Sequence, residues 1–122
     1  MPLFSRYMQR DPIKDALQAL ADWHDDLKEK LVSERRASWV TALGKWVAAL
    51  DVFAQQHGGR KNVPEAIEKI NEAARGIDRA RVAGSPGTMQ AISDVALQHG
   101  HLALCWLIAG FGLGDKVTFR GL

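Results

Sequence analysis

The eight residues Leu102 to Ala109, LALCWLIA, are all apolar, and they fall in a helix-like segment running from Thr88 to Phe111. A surface helix in a small bundle shows one apolar stripe and one polar face. This segment is amphipathic in its first half and apolar nearly all the way round in its second, so more than one side of it needs cover. Eight residues are too few to cross a bilayer, which takes roughly 20, and no membrane association is expected. The expectation is a last helix largely buried in a bundle and also facing a second copy of the chain. Its interface residues are taken to be Gln98, Gly100, Leu104 and Trp106.

The rest of the chain reads in the same helical period. Asp11-Pro12 supplies a capping side chain and then a residue whose fixed φ suits a first turn. Ile13, Leu17, Leu20, His24, Leu27 and Leu31 follow on one helical face. Ser33 either caps a second helix or lies within a first that runs on. The stripe Trp39, Leu43, Trp46, Leu50, Phe53 marks the next helix, ended by Gly58-Gly59. Asn62-x-x-Glu65 with Pro64 between is a capping-box pattern opening a helix with the stripe Ile67, Ile70, Ala74, Ile77. Gly84-Ser85-Pro86-Gly87 is a turn before the last helix. Alternation of period two is nearly absent, and only Lys116 to Arg120 (KVTFR) suits a strand. These signals predict an all-α, compact bundle of about four helices. It is a single domain over residues 1–122, with an N-terminal arm at 1–10 and a C-terminal tail at 112–122.

Composition narrows the function. The one cysteine, Cys105, excludes an internal disulfide framework and suits a reducing, cytoplasmic setting; no secretory apolar region stands in the first ten residues. A net charge of +2 permits an anionic ligand without marking a protein that coats nucleic acid. His99 and His101 lie about 200° apart on a helix and cannot share one ion. His101 and Cys105 do share a face, but two ligands fall short of the three or four that zinc needs, so no metal site is expected. Asp22, Asp25, Asp26 and Glu29 surround His24, interleaved with Lys28, and read as a solvated face. Gly110-x-Gly112-x-Gly114 follows a helix, whereas a phosphate-binding loop precedes one, so it reads as a C-cap and hinge releasing the tail. With no nucleophile or cofactor motif present, no catalytic residue and no cofactor are assigned, and an enzyme is the least supported class.

Basic residues are the better candidates for a ligand site. Lys69, Arg75, Arg79 and Arg81 decorate the third helix off its isoleucine stripe. Arg75 and Arg79 are like charges four residues apart, mildly unfavourable unless an anion or an acidic partner joins them. They form either an internally salt-bridged face with Glu68, Glu72 and Asp78, or a guanidinium clamp for phosphates. Arg35 and Arg36 offer a second basic point.

The last helix reads Ala91-Ile92, Leu97-Gln98-x-Gly100-x-x-Ala103-Leu104, then Ile108-Ala109, and the preceding one carries Glu65, Ile67, Ile70-Asn71 and Gly76. Over residues 63–111 this pair resembles the helical hairpin of phage-encoded cyclic-oligonucleotide sponges that counter CBASS and Thoeris immunity. The chain departs from that pattern at Trp106, where the family tends to carry an arginine, and at Gly76, one residue out of register. The resemblance implies a helical homo-oligomer that sequesters a cyclic oligonucleotide without cleaving it. Two other readings stand beside it. One is a small helical subunit of a CRISPR-type nucleic-acid-binding complex. The other is an inhibitor or immunity protein that binds a protein partner through exposed tryptophans among Trp23, Trp39, Trp46 and Trp106.

Overall fold

The computed structural model describes residues 11–30 in full, the backbone of 31–33, and residues 37–120. The expected arm at 1–10, the basic pair Arg35-Arg36 and the end of the tail at 121–122 lie outside the described residues. Four helices follow one another: α1 (Pro12–Ser33), α2 (Ala37–Gln56), α3 (Val63–Arg81) and α4 (Pro86–Gly110). Among the described residues there is no strand, and Lys116 to Arg120, the stretch that suited one, does not form it.

Local chemistry explains most of the boundaries. Asp11 Oδ1 accepts from the N–H groups of Ile13 (3.1 Å) and Lys14 (3.0 Å), satisfying two donors that a helix start leaves unpaired. Ser85 Oγ accepts from Thr88 N–H at 3.1 Å and opens α4 in the same way. The capping box expected at α3 is not used. Asn62 sits in the left-handed region (φ 69°), and its side chain caps nothing. Tertiary packing overrides the local signal here, because α4 ends against this turn: a Cβ on Gly110 would fall 2.2 Å from the Lys61 carbonyl oxygen. α2 stops at Gln56 ahead of Gly58-Gly59, although neither glycine takes a positive φ.

One hydrophobic cluster draws on all four helices, with Leu17, Leu43, Trp46, Leu50, Leu104 and Leu107 fully buried. The most extensive helix pair is α3 with α4. Their surfaces there are small: Ala66, Ala73, Gly76 and Ala80 are buried on α3, Ala96 and Ala103 on α4. A Cβ on Gly76 would stand 3.2 Å from that of Ala96. Trp46 crosses the core to lie over Gly100, where a Cβ would meet its ring at 2.3 Å, and its indole N–H donates to the Leu20 carbonyl at 3.0 Å. Trp39 is also buried and donates to the Leu27 carbonyl at 3.0 Å. Both indoles thus bring their own polar group into the core already paired.

α4 buries a broad inner face, including Ser93, Leu97, Gly100, Leu104 and Ile108. Its outer ridge stays open, with Val95, Leu102 and Trp106 at 47%, 45% and 39% exposure. The helix closes in a Schellman motif. Gly112 is left-handed (φ 69°), its N–H donates to the Ala109 carbonyl, and the Leu113 N–H donates to that of Ile108. The tail that follows is docked, not released. Leu113 and Val117 are buried, and Gln18 of α1 holds Thr118 through two reciprocal hydrogen bonds, accepting from its N–H (3.1 Å) and donating to its carbonyl (2.9 Å). Residues 113–120 form a strap across α1.

Candidate ligand groove between the first and last helices

His24 occupies an apolar position of the α1 stripe, and so it is carried into the bundle, only 2% exposed. Its ring lies 4.8 Å from that of His101 on α4, 5.1 Å from Phe119 of the strap and 5.6 Å from Trp46. The Phe119 ring also lies 4.6 Å from that of His101, tilted by 53°. His24 Nδ1 is 3.0 Å from Asp25 Oδ1, and a carboxylate there places the proton on Nδ1. Asp25 Oδ2 in turn accepts the Arg120 backbone N–H, while the Arg120 guanidinium reaches Asp26 at 3.1 Å and lies 4.0 Å from Asp22. The acidic group read as a solvated face is therefore divided. Asp25 is buried at 6% exposure, and Asp26 with Asp22 pairs to the strap. Helical spacing alone gives no sign of this, because the covering residues come from the far end of the chain.

Burial sets the charge of the cluster. It lowers His24 below 6.5, against the opposing pull of the Asp25 hydrogen bond and charge. It lowers His101 too, helped by the nearby His24 and Lys28. Cys105 Sγ stands 3.5 Å from His101 Nε2, and burial raises its pKa. The pair is thus a neutral thiol beside a neutral imidazole, unlike a Cys–His nucleophile, which depends on a stabilised thiolate. Among the described residues no group of three or more His, Cys, Asp or Glu is placed to hold a metal ion.

Beside this cluster lies an open groove of about 420 Å³ lined by His24, Lys28, Asp94, Leu97, Gln98, His101 and Leu102. Its volume falls in the range of small-molecule sites, and its make-up is theirs: apolar walls with a few polar groups. His101 Nδ1 is buried and makes no hydrogen bond among the described residues. Such an unpaired group in a pocket wall calls for an explanation.

The cations expected to clamp phosphates do not converge. Lys69 lies 3.4 Å from Glu72 on the α4 side of α3, next to His99, whose Nδ1 stands 3.0 Å from the same carboxylate but off the line of a hydrogen bond. Arg81 turns the other way, 3.5 Å from Asp78, where its guanidinium abuts Gly44 of α2. Arg75 and Arg79 are exposed between them and make no ion pair among the described residues. Of the four expected interface residues, Gly100 and Leu104 are consumed inside the chain's own core, Gly100 by Trp46; only Gln98 and Trp106 face outward. No protein-family model matches this chain, and no curated protein or solved structure matches it either.

Proposed function

We propose that this chain is a non-catalytic binding protein, acting as a homo-oligomer, that holds a nucleotide-like ligand in the groove between α1 and α4. The lining of that groove carries the proposal: two neutral imidazoles, two leucines, an amide, a carboxylate and the Lys28 ammonium around one cavity. A planar base lies against imidazole and leucine surfaces. The Gln98 amide and Asp94 carboxylate offer both senses of hydrogen bond to its edge. Lys28, at the exposed rim, suits a phosphate. The neutral thiol at Cys105 supports binding without chemistry. A cyclic oligonucleotide is the ligand of this class that the hairpin resemblance implies. The site moves, however, from the α3 cations, which diverge, to the α1–α4 groove.

Native mass spectrometry at two salt concentrations tests this, with cyclic di- and trinucleotides, mononucleotides and a short RNA as probes. The expected result is an integral number of nucleotides per oligomer, with binding lost in Lys28→Ala and weakened in His101→Ala. Uptake of RNA alone, and only at low salt, would replace this reading with the nucleoprotein subunit. Indifference to every probe would leave a protein partner as the reading to pursue.

A further inference from the structure

We infer that the outer ridge of α4 and the adjoining flank of α3 form an isologous interface, on which a second copy of this chain packs with its α4 antiparallel. The inference rests on the oligomer half of the reading above; of the ridge residues Leu102 also lines the proposed groove, so ligand binding is read in the Val95→Glu variant. Val95, Leu102 and Trp106 lie within about 40° of one another around the helix axis, flanked along the ridge by exposed Thr88, Ala91 and Ala109. None of the six is charged, which is the composition of an interface core.

The ridge is complementary to itself under a two-fold. A dyad level with the bond between residues 98 and 99 sets Trp106 over the partner's Ala91, Val95 over the partner's Leu102, and Thr88 over the partner's Ala109. Each bulky side chain meets a small or medium one. An isologous contact has this reciprocity, with residue i on j and j on i.

The charges of α3 obey the same dyad. Gly76 lies against Ala96, and Glu72 beside His99, so the dyad on α4 falls level with residues 73–74 of α3. Glu68 and Arg79 are equidistant from that level, and so are Glu72 and Arg75. All four lie on one side of α3, past the Ala73 and Gly76 seam and away from the α2 side that holds Ile70, Ala74 and Arg81. Across the dyad Arg79 therefore meets the partner's Glu68, and Arg75 the partner's Glu72. This supplies acidic partners for two like-charged arginines that make no ion pair among the described residues. Such complementarity fixes register and orientation more than affinity.

Sedimentation equilibrium on the full chain tests the surface. Wild type is expected to be a dimer. Val95→Glu and Leu102→Glu, at exposed positions that leave the helical circular dichroism unchanged, are expected to give monomers. Arg79→Glu, which removes both symmetry-related copies of the contact, is expected to weaken the dimer about two- to thirty-fold, as for two rim ion pairs, and adding Glu68→Arg to restore it. A wild-type monomer at about 100 µM, a concentration well above a micromolar Kd, would overturn both the surface and the oligomer. A dimer indifferent to Val95→Glu and Leu102→Glu would overturn the surface alone. Nucleotide binding by the Val95→Glu monomer separates either failure from that of the ligand reading.

Discussion

Gly100 shows how one missing atom can decide the packing of a helix pair. Alanine would ordinarily favour the helix by about 1 kcal/mol over glycine. Here its Cβ would fall 2.3 Å from a fully buried ring that is itself tied to Leu20. The ring has no free end to swing away, so overpacking wins. Gly100→Ala is expected to destabilise the fold by about 1–3 kcal/mol, read from urea denaturation. The paired imidazoles make a second prediction at this scale. His24 and His101 both titrate below their ordinary 6.5 when folded. As pH falls beneath 6.5 the unfolded chain therefore takes up protons that the folded one refuses, and stability declines. The groups facing the pair are Asp25 and Lys28 on α1, Asp94 and Cys105 on α4 and Arg120 on the strap. Thermal melts between about pH 7.5 and 5.5 should show a falling midpoint, with a shallower slope in His101→Gln.

At the scale of the element, the strap is held by few but specific contacts. Gln18→Ala removes both hydrogen bonds to Thr118, leaving its backbone to water, and is expected to cost about 1–2 kcal/mol. Gly112→Ala forces a Cβ into left-handed backbone and is expected to cost about 1–2 kcal/mol. Both should speed amide exchange in residues 113–120 while α3 and α4 keep their protection. Which elements the sequence disclosed follows from the range of the forces involved. Helix periods, the Asp11 cap and the turn at residues 84–87 are set by neighbours within a few positions, and each was legible, although the turn was not read as placing the Ser85 cap. The Gly112 cap was legible as a helix stop. What came after it was not, because Thr118 and Arg120 find their partners nearly a hundred residues away. The Asn62 cap misled for the same reason: Gly110, remote in sequence, dictates that turn.

Over the whole molecule, the site was half legible. His24 stood out as a polar residue on an apolar stripe, and His101 and Cys105 as sharing a helical face. That the strap would cover them, and that Lys69 and Arg81 would point to opposite flanks of α3, depends on how four helices are assembled. No single helix carries that information. The α3–α4 hairpin, with its small-residue seam, is the most extensive contact in the bundle and joins sequence neighbours. Its amides are expected to exchange last under native conditions, and the strap's first. The strap also has a consequence for how the protein is made. Asp25 belongs to α1, which leaves the ribosome well before the strap does, yet the backbone donor it receives is that of Arg120. Until that residue has been synthesised and freed, the nascent α1 carries this carboxylate without its Arg120 donor, and any factor that binds emerging chains meets it before the strap does.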